Sequence, residues 1–331
     1  MTLLSVRDLT VKFKTRESSV TALDGISFDI ARGERVGVVG ESGAGKSITG
    51  FALMNLLSRP GYIDGGQILF EGQDVTKMTP KQVRAMRGNR MAMIFQDPMV
   101  TLNPVLTIGQ QMIETLRAHR KLSKEEARQI ALVKLKEVYI PSPEARLDQY
   151  PHELSGGMRQ RIVIAIALLL DPQLIIADEP TTALDVTIQA DIMDLLLEMC
   201  RSNMVGLMLI THDLGVVSQV TERTMVMYAG RIIESGRTRS IINDPQHPYT
   251  QGLINALPQQ TPPGSRLKQI PGTMPTLSAM PQGCPFHPRC ALATDECRAV
   301  MPPLTQYGEV QVACHEVQRL HRELAKMEAA Q

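Results

Sequence analysis

The chain has 331 residues, and its 35 Lys and Arg against 34 Asp and Glu leave a formal net charge of +1. This balance lacks the basic excess of nucleic-acid-binding proteins, so we expect no nucleic-acid partner. A hydrophobic share of 43% and a charged share of 21% exclude a disordered chain. The longest apolar run, Ile162–Leu170, is too short for a membrane span, and the N-terminal residues lack a signal-peptide pattern, so we expect a cytoplasmic protein.

Short alternating runs of apolar and polar residues predict a strand-rich beginning of the chain. Residues 35–39 lead through a glycine-rich turn into a segment of helical period at 48–57, which predicts a strand–loop–helix unit. The other predicted strands are residues 3–13, 26–30, 66–70, where a hairpin is expected, and 91–95.

An inserted helical segment separates these strands from a second set. Residues 108–138 have a helical period and are rich in Lys, Arg and Glu, which predicts a helical subdomain at about 98–159. The predicted elements after it are a strand at 174–177, a helix at 188–199 and a strand at 206–210. This alternation indicates an α/β fold with a mostly parallel sheet that helices cover.

The composition changes again past residue 240, where proline becomes frequent and four cysteines follow within a short span. We therefore predict a first domain of residues 1–257 and a loop-rich C-terminal extension of residues 258–331. Its last part has a helical pattern, which predicts a terminal helix from about Val312.

Residues 40–47, GESGAGKS, match the phosphate-loop pattern G-x-x-x-x-G-K-[ST]. Glycines let successive backbone N–H groups point into one concavity, and the following helix adds its positively polarised N-terminus. Lys46 offers a charge to the β- and γ-phosphates, and Ser47 offers a hydroxyl to Mg²⁺. The alternative, a glycine turn with an incidental lysine, is disfavoured by the predicted strand and helix on either side. The candidate nucleotide ligands are Gly40, Glu41, Ser42, Gly43, Ala44, Gly45, Lys46 and Ser47.

The predicted strand at 174–177 ends in two acids, Asp178 and Glu179. Ligands of open α/β sheets bind at the carboxyl ends of strands, so Asp178 is a candidate to hold Mg²⁺ through water. Glu179 is a candidate general base that polarises the attacking water. A strand that ends in acids is also a common solvated edge, and it is the phosphate loop upstream that favours the catalytic interpretation.

A third pattern, LSGGM at residues 154–158, precedes a long apolar helix. Ser155 can cap this helix, and Gly156 and Gly157 leave its N-terminal N–H groups uncovered. Such a helix end is an anion site, although an N-capped buried helix would have the same sequence.

With these patterns the chain resembles the ATP-binding subunits of ABC transporters over residues 1 to about 257. It carries, in the family's order, the phosphate loop, Gln96 in FQDP, LSGGM, ADEP, ALD at 183–185 and His212 in ITHD. The resemblance implies a P-loop NTPase cassette with a RecA-like core, an antiparallel β subdomain and a helical insertion. It also implies a head-to-tail pair of such domains with two ATP molecules between them.

The resemblance assigns roles to single residues. Gln96 would sense the γ-phosphate and Mg²⁺, and His212 would hold the γ-phosphate and the attacking water. Ser155, Gly156 and Gly157 would contact the partner's ATP, and Asp185 would cross the dimer junction. Phe13 is the candidate to stack on adenine, although a lone Phe in an amphipathic strand is more often core.

The sequence departs from the family at Met158, where Gln is usual, and at Ala44, where Ser is common. Neither change removes a charge or a Mg²⁺ ligand, and Glu179 and His212 are present, so we expect an active ATPase. The rivals are a binding-only regulatory subunit and soluble ABC ATPases of translation or DNA repair. The translation class usually carries two cassettes in one chain, and the repair class carries long coiled-coil insertions. An exporter half would carry fused membrane helices.

The segment DPQHPYT at 244–250 and the longer stretches at 155–161 and 177–189 resemble the oligopeptide, dipeptide and nickel importers of this family. This subgroup implies a second, paralogous ATPase, two transmembrane permease subunits and an extracytoplasmic solute-binding protein. The chain would then work at the cytoplasmic face of the bacterial inner membrane in di- or oligopeptide uptake, with nickel complexes and oligosaccharides as alternative cargo.

The cysteines of the extension follow the spacing C-x5-C-x6-C-x16-C, formed by Cys284, Cys290, Cys297 and Cys314. Four soft ligands in a segment with little core could supply folding energy by binding a metal. Four thiolates suit an iron–sulfur cluster, for which the resemblance to the subgroup implies a 4Fe–4S centre, and the lack of a C-x-x-C pair weakens zinc. Zinc and plain thiols stay open, His287 and His315 flank the ligands, and Cys200 is expected to be a core thiol.

Overall fold

The computed structural model describes residues 1–16, 18–182, 185–257 and 269–317, with the backbone alone at 186 and 187. The described strands are β1 (Thr2–Lys14), β2 (Ser19–Ala31), β3 (Arg35–Val39), β4 (Gly61–Phe70), β5 (Gln73–Asp74), β6 (Met91–Ile94), β7 (Leu174–Asp178), β8 (Gly206–Thr211), β9 (Arg223–Tyr228), β10 (Arg231–Arg237), β11 (Thr305–Tyr307) and β12 (Val310–Val312). The described helices are α1 (Lys46–Leu53), α2 (Pro80–Met86), α3 (Pro98–Thr101), α4 (Ile108–His119), α5 (Lys124–Glu137), α6 (Pro143–Arg146), α7 (Gly156–Ala167), α8 (Val186–Ser202), α9 (Leu214–Val220), α10 (Thr238–Asn243), α11 (Pro248–Asn255) and α12 (Asp295–Ala299).

In the described part of the chain, a core sheet has the strand order β11-β12-β10-β9-β3-β8-β7-β6. The pairs from β9 to β6 are parallel, as predicted, and the strands from β10 outward are antiparallel. Parallel strands lie between two covered faces, which explains the almost continuous apolar runs of β3, β7 and β8. Because β3, β6, β7 and β8 run in one direction, the loops that follow them meet at one edge of the sheet.

Two hydrophobic cores cover the faces of this sheet. Alternate residues of one strand separate between them: Ile175 of β7 belongs to the core shared with α4, α5, α7 and α8, and Ile176 belongs to the other. The second core lies under an antiparallel sheet of described strands in the order β2-β1-β4-β5. The predicted hairpin is confirmed, because β4 and β5 are joined by Glu71 and Gly72, both with positive φ, as a tight hairpin turn requires.

The helical insertion lies between β6 and β7 and is confirmed by α3 to α6. Capping boxes define where its two longest helices begin. Thr107 accepts from the N–H of Gln110 at the start of α4, and Ser123 accepts from the N–H of Glu126 at the start of α5. Among the described residues, no helix combines the length and the apolar character that a membrane span needs.

Part of the predicted loop-rich extension continues the core sheet. β12 pairs with β10, which would otherwise expose a row of unpaired N–H and C=O groups, and β11 pairs with β12. The terminal helix predicted from about Val312 starts later, because Val312 ends β12 and the backbone becomes helical at 315–317. The rest of that prediction and the proline-rich residues 258–268 lie outside the described residues.

Candidate nucleotide site

The loop between β3 and α1 has a backbone that requires glycine at two positions. At Gly40, with φ at +154°, a Cβ would lie 2.3 Å from the carbonyl oxygen of Met227. At Gly45, with φ at +100°, it would lie 2.8 Å from Leu23 Cδ2. The glycines of the pattern therefore let the loop curl against β9 and β2, as the phosphate-loop prediction requires.

Lys46 is the first residue of α1 and is 5% exposed. Its Nζ donates to the carbonyl oxygens of Gly40, at 2.8 Å, and Glu41, at 3.0 Å, so the loop encircles the ammonium group. Burial lowers the pKa of Lys46, and the carboxylates of Glu179 and Asp178 oppose that shift. A cation held by neutral carbonyls beside the N-terminus of a helix is suited to bind phosphate oxygens.

Asp178 ends β7 and is 4% exposed. Its Oδ1 accepts a hydrogen bond of 2.9 Å from Ser47 Oγ of the phosphate loop. Burial raises the pKa of Asp178, and the hydrogen bond from Ser47 opposes this shift. A hydroxyl and a carboxylate at this distance form the oxygen donor set that Mg²⁺ prefers, so the residues present fit the ion.

Glu179 follows β7 in a left-handed conformation with φ at +47°, and its N–H donates to the carbonyl oxygen of Ile210. Its carboxylate accepts from Gln96 Nε2 at 3.1 Å and from Thr182 Oγ1 at 2.8 Å, and lies 3.2 Å from His212 Nδ1. Burial acts to raise the pKa of Glu179, but the hydrogen bonds from Thr182 and His212 outweigh it and the pKa is lowered. The carboxylate is therefore ionised and oriented by its neighbours.

Lys46, Ser47, Glu179 and His212 lie around one cavity of about 470 Å³ at the carboxyl edge of the core sheet. It is lined by Ser42, Gly43, Gly45, Lys46, Ser47, Ile48, Gln96, Glu179 and His212. Four loops of the parallel strands β3, β6, β7 and β8 contribute to it, which is the usual position of a ligand site in an open α/β sheet. The cavity combines a phosphate cradle with an ionised carboxylate, the two parts that phosphate hydrolysis needs.

Comparisons with known proteins give the chain its family. The family model "ABC transporter" matches residues 23–182, and the model "Oligopeptide/dipeptide transporter, C-terminal region" matches residues 233–297. The dipeptide transport ATP-binding protein DppD of Haemophilus influenzae is 47% identical over 315 residues, covering 95% of this chain and 96% of the relative. The chain belongs to the ATP-binding proteins of ABC transporters. As a member of this family it is an ATPase.

Other relatives and solved structures agree. DppD of Bacillus subtilis is 50% identical over 305 residues, 91% of this chain and 90% of the relative. The dimeric structure of MJ0796, a bacterial ABC transporter cassette, superposes with a TM-score of 0.64 at 27% identity, over 71% of this chain and 99% of that one. CbiO1 from Clostridium perfringens, part of the ABC transporter complex cbiONQ, gives a TM-score of 0.63 at 28% identity, over 73% and 91%. The predicted ABC cassette fold is confirmed.

Several residues that the sequence predicts to contact nucleotide lie outside the cavity. Phe13 is half-buried, and its ring packs against Gly61. A Cβ on Gly61 would lie only 2.8 Å from Phe13 Cε1. Ser155 caps α7 by accepting from the N–H of Met158 at 3.3 Å, and Ser155, Gly156 and Asp185 are exposed. A Cβ on Gly157 would lie 3.0 Å from Ile188 Cγ2 of α8. The assignment of these residues to a nucleotide stays a prediction.

The structure adds contacts that sequence reasoning missed. Thr182 donates a hydrogen bond to the carboxylate of Glu179. The sequence signal that could have indicated this contact is the position of Thr182 in the stretch ADEPTT. Glu41 donates its N–H to the hydroxyl of Tyr249, at 2.8 Å, and pairs with Arg289 of the C-terminal extension. No sequence pattern indicated either partner of Glu41. His247, which precedes this tyrosine by two residues, is buried, and burial lowers the pKa of His247 to about 3.

The four cysteines of the extension come together. Cys284, Cys290, Cys297 and Cys314 line one small cavity, and all are free thiols. Burial raises the pKa of Cys284 to about 11, and neighbouring cysteines add to the shift. Among the described residues, no group of three or more His, Cys, Asp or Glu is placed to hold a metal ion. The predicted metal centre therefore stays a prediction. Cys200 is buried in α8, and burial raises its pKa to about 12.

Proposed function

We propose that this ABC ATPase drives the uptake of di- or oligopeptides through a bacterial membrane importer. The observation that carries the proposal is the match of residues 233–297 to the C-terminal region of oligopeptide and dipeptide transporters, on a chain whose cavity combines the phosphate loop with Glu179. The relatives named above are dipeptide transport ATP-binding proteins over nearly the whole length of this chain. Residues 1–257 would form the nucleotide domain, with its helical subdomain at about 98–159, and residues 258–331 the extension.

In the proposed mechanism the phosphate loop and Lys46 bind the triphosphate at the carboxyl edge of the core sheet. Ser47, Gln96 and, through water, Asp178 would hold Mg²⁺, which supplies charge neutralisation at the phosphates. Glu179 takes a proton from the attacking water, and His212 orients that water and the γ-phosphate. Ser155 and Gly156, which are exposed at the start of α7, and the half-buried Gly157 would contact the ATP of a second ABC subunit, with Asp185 at the junction.

Exposed apolar residues after Gln96 support a membrane partner. Met99, Val100 and Val105 are 53%, 83% and 74% exposed on the segment that begins the helical insertion. Their exposure costs free energy in water, which contact with another protein would recover. We propose that the two permease subunits contact this segment. A paralogous ATPase would contact the exposed start of α7, and a solute-binding protein would act outside the cell. The chain would then lie at the cytoplasmic face of the inner membrane.

We expect cells that lack this protein to lose uptake of a labelled dipeptide and to regain it with the wild-type gene. Cells given the Lys46→Ala gene should not regain it, because import requires ATP binding. Uptake of a free amino acid is the control for membrane energisation. Loss of nickel or oligosaccharide uptake with normal peptide uptake would show that the cargo assignment is wrong while the ATPase role stands.

We further propose a 4Fe–4S cluster at the four cysteines of the extension. Backbone N–H groups of Phe286, Leu292 and Val317 lie at the sulfurs of Cys284, Cys290 and Cys314, as N–H groups do at iron-bound thiolates. A 4Fe–4S cluster gives each of four cysteines its own iron, and the four cysteines line one small cavity. Their spacing contains no C-x-x-C pair, which disfavours a structural zinc site.

Protein purified without oxygen is expected to be brown, with broad visible absorption and about four irons per chain. Replacing Cys297 by Ser should remove most of the iron, because a cluster needs its full set of thiolates. Replacing Cys200, the buried cysteine of α8, provides the matched control and should leave the iron content unchanged. A colourless sample with zinc would support the alternative metal, and a metal-free sample would support plain thiols.

A further inference from the structure

A partly buried ion pair joins the C-terminal extension to the phosphate loop. Arg289 Nη1 lies 2.6 Å from Glu41 Oε2, and Nη2 lies 3.0 Å from Glu41 Oε1, which is a bidentate geometry. The Arg289 side chain is 4% exposed and the Glu41 side chain 34% exposed. Bidentate pairs of this kind fix orientation as well as charge, so the extension constrains the second residue of the loop.

Arg289 is itself held on several sides. Its Nε donates to the carbonyl oxygen of Pro271 at 2.8 Å. Its guanidinium lies 5.9 Å from the ring centre of Tyr228 and 6.0 Å from that of Phe286. Because both rings are buried, the guanidinium has little freedom to follow Glu41 if the loop moves. The extension therefore presents a fixed cation to the loop.

Further contacts join the first residues of the phosphate loop to the C-terminal half of the chain. The N–H of Glu41 donates to the hydroxyl of Tyr249, which is fully buried on α11. Met274 of the extension is a neighbour of Gly43, because a Cβ on Gly43 would lie 3.9 Å from Met274 Sδ. The first part of the loop is thus braced from outside the core sheet, next to Ser42 and Gly43, which line the nucleotide cavity.

The negative charge of Glu41 connects its ion pair with Arg289 to ATP binding. Its carboxylate belongs to the loop that receives a polyanionic triphosphate, and like charges at short range in a protein repel strongly. Arg289 neutralises the carboxylate and keeps it paired outside the set of residues that line the cavity. An uncompensated carboxylate at this position would oppose ATP binding and would disturb the loop that encircles the Lys46 ammonium group.

We propose that Arg289 is a positioning residue of the nucleotide site, which sets ATP affinity by neutralising and orienting Glu41. The C-terminal extension is then a working part of this site. The inference rests on the proposed phosphate-binding role of residues 40–47. Arg289 would act through its charge, which a purely structural role does not require. Removing the charge of Glu41 should therefore restore the ATP affinity that is lost when Arg289 is replaced.

The test is a double-mutant cycle on the full-length purified chain, read out by equilibrium ATP binding and by steady-state hydrolysis. Arg289→Met is expected to weaken ATP binding and raise KM by about tenfold or more, with a smaller change in kcat, because Glu179 and His212 are untouched. In the Glu41→Gln background the same substitution is expected to cost less than about threefold, because no carboxylate is left to repel the phosphates. Higher salt should reduce the defect of Arg289→Met by screening.

A double variant that binds ATP as weakly as Arg289→Met would overturn the proposal and leave a packing role for Arg289. So would normal ATP affinity in a folded Arg289→Met protein. If this variant does not fold, Arg289→Lys completes the cycle, because lysine keeps the charge but loses the bidentate geometry. Its expected defect of about threefold should vanish with Glu41→Gln, and a defect that persists would count against the proposal. Lys46→Ala serves as a separate arm: if it binds ATP normally, the phosphate-binding role itself is wrong.

Discussion

Replacing Glu179 by Gln is expected to lower ATP hydrolysis by about a hundredfold or more and to leave ATP binding in place. The Glu179 carboxylate lies in the nucleotide cavity, ionised and held by Thr182 and Gln96. Glutamine has nearly the same size and can keep the hydrogen bond from Thr182, but it cannot accept a proton from water at neutral pH. Release of phosphate in a single turnover, together with the equilibrium Kd for ATP, measures both parts of the prediction.

Asp213→Asn is the matched control for this acid-to-amide change. Asp213 follows His212 directly, but its carboxylate caps α9 by accepting from the N–H groups of Gly215 and Val216. Asparagine caps helices as well as aspartate does, so turnover should stay within about twofold of the wild type. Normal hydrolysis by Glu179→Gln would rule out Glu179 as the general base.

Sequence reasoning was most successful where chemistry dictates residue types at short spacing. The phosphate loop, with Lys46 and Ser47, could be predicted because a backbone that curls around phosphate needs glycines at set positions. Asp178 and Glu179 could be predicted because parallel strands place their carboxyl ends at one edge. The structure brings Lys46, Ser47 and Glu179 into one cavity with Gln96 and His212, which the family resemblance had named, and joins Asp178 to it through the hydrogen bond from Ser47.

Contacts between distant parts of the chain were beyond the reach of the sequence. Arg289 and Glu41 are 248 positions apart, and neither carries a local pattern that points to the other. The strands Thr305–Tyr307 and Val310–Val312 have three residues each, too few to show a period of two. Val312 was instead assigned to a helix, because the pairing with β10 that makes it a strand is a tertiary contact.

Residues that would act on a second chain form another class. Ser155 caps its helix, so it has a local structural explanation within this chain, whereas Asp185 stands directly before α8 without a side-chain capping hydrogen bond. Their exposure leaves them available to a partner, and neither of them lines the nucleotide cavity of its own chain. Their assignment therefore depends on the family resemblance, and it is tested by the assembly with ATP rather than by the geometry of one subunit.

Replacing Lys46 by Ala is expected to weaken ATP binding itself, by about thirtyfold to a hundredfold. Lys46 Nζ is buried beneath the loop and bonded to the carbonyl oxygens of Gly40 and Glu41. A charge-assisted contact to phosphate in such a site contributes about 2 to 3 kcal/mol, which corresponds to this loss of affinity. Alanine also leaves the carbonyl oxygens without their donor, so the loop loses its internal support. Titration of ATP at constant Mg²⁺ measures the effect.

Lys77→Ala is the matched control, because Lys77 is 72% exposed and pairs with Asp74 far along the chain from the phosphate loop. Its ATP affinity should equal that of the wild type. The two principal variants then separate the two parts of the cavity: Glu179→Gln retains the nucleotide and loses turnover, whereas Lys46→Ala loses both because nucleotide no longer binds. If Lys46→Ala bound ATP normally while Glu179→Gln lost turnover, the triphosphate would have to be held by groups other than this loop.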